Sequence, residues 1–249
     1  MITLTTDFGY QDAYAGILKG ILLSELPEEK VIDITHDIPP CNYLSGAYVL
    51  KTYYRYFPPY TFHLVVVDPG VGSVRRGLIV KTRDQVFIGP DNGVFSYLFR
   101  DNADVECFLI DESMYHAASK TFHARDIFVR EIIRIKKKGI GDLKKVYDPV
   151  SILPAISVDG NLYTGAVIHI DKFGNLITNI EKKDGIFKRC IRIGRKRVNI
   201  VFKEIYSYIK QNNPLLLLNS QDHYEIAINR GDAYKRFKAN TGTPIILEK

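Results

Sequence analysis

The N-terminal part of the chain alternates between two hydrophobic periods, and this alternation restricts it to a layered fold. Ile2 to Thr6, Lys30 to Ile34, Phe62 to Val67, Leu78 to Thr82 and Glu106 to Ile110 are short β-branched or aromatic runs bounded by turn residues, the pattern of buried strands. Between them, Tyr14 to Leu26 sets Ile17, Leu18, Ile21, Leu22 and Leu26 at helical spacing, and Tyr43 to Tyr56 and Asp126 to Lys138 carry the same period. Strand and helix in turn predict an α/β N-terminal domain with a largely parallel central sheet. After about Pro149 the texture changes. Leu162 to Ile170, Leu176 to Ile180, Cys190 to Ile193, Val198 to Phe202, Leu215 to Leu218, Tyr224 to Ile228 and Pro244 to Leu247 read as strands separated by Gly, Asn and Asp. They predict a small all-β C-terminal domain, a barrel or sandwich. The expected division is 1–154 and 155–249, within the Asp148 to Gly160 region.

Composition narrows the functional classes. A chain of 249 residues, 46% hydrophobic and 25% charged, can bury a proper core. Its 34 Lys and Arg against 28 Asp and Glu give a net charge of +6, but the basic runs Lys136–Lys138 and Arg195–Arg197 are short and separated. They read as solvated faces, so no nucleic-acid partner is expected, while a small anionic or zwitterionic ligand stays possible. Cys41, Cys107 and Cys190 are too few and too scattered for a disulfide framework or a CxxC site, which fits a reducing compartment. Met1 to Asp7 lacks the features of a signal peptide and no apolar run is long enough to span a bilayer, so the expected location is the cytoplasm, with no membrane partner. The six histidines form no metal-ligand motif, so no metal is expected.

In open α/β sheets ligands collect outside the carboxyl ends of strands, and four polar clusters fall at such places. Thr5 to Asp12 follows the first strand; Asp12 can be a helix N-cap, whereas Asp7 lies too far upstream for that and is a candidate to accept hydrogen bonds from two ribose hydroxyls. In Val65 to Gly77, an Asp-Pro-Gly turn explains Pro69 and Gly70 but not Arg75, which follows closely enough to fold back onto Asp68. Gln85 to Gly93 runs from a strand into Asn92-Gly93, which reads equally as a hairpin turn or a site. Thr121 to Asp126 opens a helix, where Asp126 can be a cap and His123 a structural histidine. In the β part, Asp171 to Asn179 joins two strands; Phe173 and Asn175 offer an aromatic face beside an amide able to read a base edge, although a bulged hairpin looks much the same.

Taken together, these segments resemble the S-adenosylmethionine hydrolase family, the SAM hydroxide adenosyltransferases, which are relatives of the fluorinase and chlorinase. The segments carrying the resemblance are Thr6-Asp7-Phe8-Gly9, Asp68-Pro69-Gly70-Val71-Gly72, Gly89 to Gly93, Thr121 to Asp126, Asp171 to Ile180, Asn219-Ser220 and Ile226 to Gly231. The resemblance runs nearly end to end and implies an N-terminal α/β domain, a C-terminal β-barrel and a homotrimer whose sites combine one subunit's N-terminal domain with its neighbour's C-terminal domain. It implies that Asp7 binds the ribose, that Asp12, Asp171 and Ser220 hold the methionine end, and that Phe173, Asn175 and Tyr206 flank and read the adenine, with Phe122 and Asn92 near the ligand. The implied catalytic triad is Asp68, Arg75 and His123.

That triad also separates the branches of the resemblance. The halogenating relatives have Tyr at the position of Asp68 and lack the histidine at His123; a desolvated halide would be repelled by an ionised Asp68. The implied reaction is therefore hydrolysis of S-adenosylmethionine to adenosine and methionine by water or hydroxide at C5′, with no cofactor. Halogenase activity and a non-catalytic adenosyl-nucleoside sensor are the alternatives. In the implied chemistry Arg75 stabilises hydroxide character, His123 accepts or relays the proton, and Asp68 positions Arg75 and the water. Two positions depart from the family pattern: Ala124 where Gly is usual, and Gln221 where the fluorinase has an Arg at the methionine carboxylate.

Overall fold

The computed structural model describes residues 1–249, which divide into two compact units, Met1–Ile152 and Leu153–Lys249. The first unit is built on a six-stranded sheet of order β2-β1-β3-β5-β4-β6, formed by β1 (Ile2–Thr6), β2 (Val31–Thr35), β3 (Phe62–Val66), β4 (Gly77–Lys81), β5 (Val86–Pro90) and β6 (Glu106–Leu109). Residues alternate across the strands. Leu64, Val66, Ile79 and Ile88 join one core with Ile2 and Leu4, while Val65, Leu78, Val80 and Phe87 join another on the opposite face. Because both faces are apolar, both are covered by helices. α1 (Tyr14–Glu25) and α4 (Val129–Lys138) bring Leu18, Leu22 and Ile132 to the first core, and α2 (Tyr43–Tyr53) and α3 (Ser96–Asp101) bring Leu50 and Leu98 to the second.

The sheet is parallel through β2, β1, β3 and β5, but β4 runs antiparallel to both β5 and β6. A tight turn over Thr82–Gln85 joins β4 to β5, so only two strand junctions escape the parallel pattern. This turn is the hairpin; Asn92-Gly93 is not one. Since β6 is reversed twice relative to β5, its carboxyl end lies on the same sheet edge as those of β1, β3 and β5, and the amino end of β4 lies there too. The strand order reverses direction between β1 and β3, which places the topological switch point beside the residues following those two strands.

Helix starts differ from expectation at two places. α1 begins after Ala13, which makes no side-chain cap, so Asp12 is exposed and caps nothing. The helix expected over Asp126 to Lys138 opens with a π-helical turn, Ala124–Phe128, before α4. Asp126 lies inside that turn and its carboxylate accepts from the Ser119 amide at 2.8 Å. Wide turns of this kind concentrate at functional sites.

The second unit is an antiparallel, nearly closed barrel-like sheet. β7 (Ser157–Asp159) pairs with β8 (Leu162–Ile170), and the main path runs β11-β10-β14-β8-β9-β13-β12 through β9 (Leu176–Glu181), β10 (Arg189–Ile193), β11 (Lys196–Val201), β12 (Pro214–Leu218), β13 (His223–Ile228) and β14 (Pro244–Glu248). A bridge between Phe202 and Leu216 draws the two ends of the path together. Val167, Leu176, Ile180, Phe187, Tyr224 and Leu247 fill the interior, and a short helix, α5 (Ala233–Phe237), adds Ala233 and Phe237. β7 had no sequence signal: three exposed residues carry no alternation to read.

Candidate active site

The carboxyl edge of the first sheet gathers Asp68, Arg75, Glu112 and His123. After β3, two successive turns reverse the chain: the Val71 amide donates to the Asp68 carbonyl at 3.3 Å, and the Ser73 amide to the Gly70 carbonyl at 3.1 Å. Arg75 is thereby folded back onto Asp68. Its Nε lies 3.1 and 3.0 Å from the two Asp68 carboxylate oxygens, and its Nη2 donates to Oδ2 at 2.7 Å. Nη2 also lies 2.8 Å from His123 Nδ1. Nη1 donates to Glu112 Oε1 at 3.0 Å, and the guanidinium carbon stands 5.2 Å from the centre of the Phe128 ring. Arg75 therefore commits four of its five N–H groups to three protein partners.

The loop that brings His123 to Arg75 depends on Gly72. With φ +75° and a would-be Cβ 2.2 Å from the Lys120 carbonyl oxygen, this position has no room for a side chain. The 115–122 segment is tied down from the other side by Tyr115, whose hydroxyl donates to the buried Glu131 at 2.5 Å, and by the Ser119–Asp126 bond. His123 then sits immediately before the π turn, buried, with Phe122 packed edge-on against Phe8 and Tyr14 at 5.9 and 5.1 Å.

An arginine can only donate, so His123 Nδ1 accepts and the imidazole carries its hydrogen on Nε2. Burial, reinforced by the Arg75 charge and opposed by Glu112, Asp68 and Asp126, holds the His123 pKa below the ordinary imidazole value. The ring is thus neutral at pH 7 and presents an N–H from its free nitrogen.

Asp7, one strand over, accepts from the Cys41 amide at 3.0 Å. Burial raises its pKa above the usual carboxylate range, the Cys41 bond opposes that, and the Asp68 charge adds to it. Asn92, at the end of β5, donates to the Val67 carbonyl at 2.7 Å and accepts from the Val94 amide at 3.2 Å. Its amide thus braces the chain just before Asp68. Asp12 is exposed.

A second group lies in the β unit. Asp171 closes the hairpin between β8 and β9: its Oδ1 accepts from the Phe173 and Asn175 amides, both at 2.9 Å, and its Oδ2 from Asn175 Nδ2 at 2.9 Å. Phe173 projects outward, 67% exposed. Tyr206 donates from its hydroxyl to Glu225 Oε1 at 2.7 Å. Burial pushes Glu225 up to about 7, the Tyr206 hydroxyl opposes this, and the Asp171 charge adds to it. Ser220 is exposed, next to Asn219, which accepts from the Gln221 and His223 amides. Neither Glu112 nor Glu225 stands out in the polar clusters of the sequence. Glu112 could have been found as a carboxylate just past a strand end; Glu225 is buried mid-strand on the face opposite Tyr224 and Ile226 and had no such signal.

The chain matches known proteins along most of its length. The family model described as SAM hydroxide adenosyltransferase N-terminal domain covers residues 2–146, and the C-terminal domain model of the same family covers residues 165–246. The chain belongs to the SAM hydroxide adenosyltransferase family. Within it, the chain is 38% identical to an (R)-S-adenosyl-L-methionine hydrolase of Methanocaldococcus jannaschii, over 91% of this chain and 88% of the relative. It is 29% identical to one of Thermus thermophilus over 97% of each chain. A fluorinase of an Actinoplanes species is more distant, at 20% identity over all of this chain and 97% of the relative. A crystal structure of an uncharacterized conserved protein from Thermotoga maritima superposes with a TM-score of 0.87 at 30% identity, covering both chains fully. Ala124 is buried within the first core of this chain, so its methyl group is accommodated by packing. No helix is long and apolar enough to cross a membrane.

Proposed function

We propose that this chain hydrolyses S-adenosyl-L-methionine, taking the (R) sulfonium epimer named for its relatives, to adenosine and L-methionine. The observation that carries the reading is the hydrogen-bonded set Asp68–Arg75–His123 at the switch point of the sheet, with an aspartate where halogenating relatives have tyrosine. The sulfonium leaves as neutral methionine, so the reaction requires no acid at sulfur, and we propose that it requires no cofactor. A water oxygen bonds to C5′, the C5′–S bond breaks with its electron pair going to sulfur, and one proton is released.

The protein groups divide this work. His123 Nε2–H donates to the attacking water and fixes its oxygen in line with C5′. With Nδ1 occupied by Arg75, the proton acceptor in this geometry is a carboxylate, and Asp68 Oδ1, which takes only the longer Nε contact, is the one we assign. Two carboxylates, Asp68 and Glu112, against the one guanidinium leave the cluster with a net negative charge. Such a cluster favours a cationic substrate and disfavours a halide nucleophile. Asp7 holds the ribose hydroxyls, with Phe122 and Asn92 near the ligand. Phe173, Asn175 and Tyr206 flank the adenine, and Asp12, Asp171 and Ser220 receive the methionine end. We place the assembly as a homotrimer and, from its three free cysteines, in the reducing cytoplasm; sedimentation in solution tests the trimer.

The test is product formation. Purified protein incubated separately with the (R) and (S) sulfonium epimers in halide-free buffer is expected to yield adenosine and methionine from the (R) form. A halogenated nucleoside formed only with chloride supports a halogenase instead, and tight binding of S-adenosylmethionine without product supports a sensor.

A further inference from the structure

The guanidinium of Arg75 is gripped from two sides, and only one of them belongs to the triad. On the side away from Asp68, Glu112 stands on the short turn that follows β6, with Oε1 3.0 Å from Arg75 Nη1 and Oε2 3.6 Å from His123 Nδ1. The backbone makes room for it: a Cβ at Gly77 would meet Glu112 Oε1 at 3.2 Å and the Phe128 ring at 3.0 Å. Its side chain is 31% exposed and opens onto a cavity of about 480 Å³ that Arg75, Gly77 and Asp111 also line. A carboxylate placed there avoids the full desolvation cost of a buried charge.

The geometry points to Glu112 as a positioning residue for the hydrolysis proposed above: it turns the Arg75 fork so that Nη2 meets His123 Nδ1, and thereby keeps the imidazole in the tautomer that presents Nε2–H. The inference rests on the hydrolase reading and adds to it a fourth residue that acts through Arg75 and His123 without touching substrate. A planar guanidinium held only along its Nε–Nη2 edge can rock about that edge. A bond at Nη1 removes this freedom. The charge also matters. The groups facing His123 are Asp68 from the turn after β3, Arg75 from the entry to β4, Glu112 from the turn after β6, and Asp126 from the π turn. Arg75 disfavours protonation of the ring and the three carboxylates favour it. Removing the Glu112 charge therefore moves the His123 pKa further down.

Two variants separate geometry from charge. Glu112→Ala loses both, and its kcat for adenosine formation is expected to fall about 10-fold or more with KM changed little, the scale on which misplacing a catalytic group acts. Glu112→Gln keeps an acceptor for Nη1, so it is expected to retain kcat within about 3-fold while the His123 imidazole, followed by NMR and assigned with His123→Asn, titrates at lower pH than in the wild type. If Glu112→Ala fails to fold, Glu112→Gln decides. Wild-type kcat in a folded Glu112→Ala variant, or an unmoved His123 titration in Glu112→Gln, overturns the inference while the hydrolase reading stands. A wild-type protein that forms no adenosine overturns the hydrolase reading itself, whatever the titration shows.

Discussion

At the scale of the residue, Asp68, Arg75 and His123 act as one hydrogen-bonded unit, so removing either end is expected to disturb the whole. Asp68→Ala and His123→Ala should each lower kcat by roughly 100-fold or more with a weaker effect on KM. Asp7→Ala should do the reverse, raising KM, because it removes the carboxylate proposed to accept from the ribose hydroxyls. Steady-state kinetics of the three variants, measured together, checks this split; equal kcat in all three would remove the triad from the mechanism. The pairing of Arg75 with Asp68 was legible in the sequence because the six residues between them, containing Pro and two Gly, favour a chain reversal. The roles of Asp126 and Asn92 were not. Both were open between local turn chemistry and a site, and the structure gives Asn92 a local bond from the Val94 amide and a long-range bond to the Val67 carbonyl, and Asp126 a bond from Ser119 seven residues upstream. The internal uses of Asp171 and Asn175 were hidden for the same reason, since a hairpin and a binding loop share one composition.

At the scale of the element, the site depends on two loops meeting, one after β3 and one before the π turn. Gly72→Ala places a methyl 2.2 Å from the Lys120 carbonyl oxygen at a positive φ, so the loops must part. Destabilisation of about 1–3 kcal/mol is expected, together with a loss of kcat larger than any change in the KM for S-adenosylmethionine. Denaturant midpoints and kinetics on the same preparation check both; a fully active, equally stable variant would mean that this contact does not set the distance between Arg75 and His123. The longer elements of the first unit were readable from period alone, because both faces of the sheet are buried and its strands stand out as continuous apolar runs, whereas the short α3 was not. The antiparallel β4 was not readable. A turn of four residues separates it from β5, and in the sequence the second of these strands reads only as an approach to Asn92-Gly93. The π turn was equally hidden, because one extra residue per turn barely alters a helical period over five residues.

At the scale of the whole molecule, buried titratable groups tie stability to pH. Burial lowers His63 to about 3 and His169 to about 4, so both are neutral in the folded protein while the unfolded chain takes up protons below about 6.5. The unfolded state then binds more protons, and stability falls with falling pH by about 1.4 kcal/mol per unit for each group. Glu225, raised to about 7, has the opposite sign: between about 4.5 and 7 the folded state holds the extra proton, and stability falls as pH rises. His169 and Glu225, both in the β unit, offset one another between about 4.5 and 6.5, leaving the His63 slope in the α/β unit. Denaturation at several pH values is expected to show this acid slope in the wild type and a shallower one in His63→Leu; parallel slopes would contradict it. The two-unit organisation was visible in the change of texture near Pro149, whereas near-closure of the barrel, made by the Phe202–Leu216 bridge, had no local signature to separate it from a sandwich. The claim that joins these scales is that solvent, directed by the Asp68–Arg75–His123 set, attacks the ribose carbon. Turnover in water enriched in oxygen-18, with chloride present and products analysed by mass spectrometry, tests it most directly. Adenosine carrying the heavy oxygen on its 5′ carbon, beside unlabelled methionine, is the expected product, and a 5′-chlorinated nucleoside or unlabelled adenosine would contradict attack by solvent.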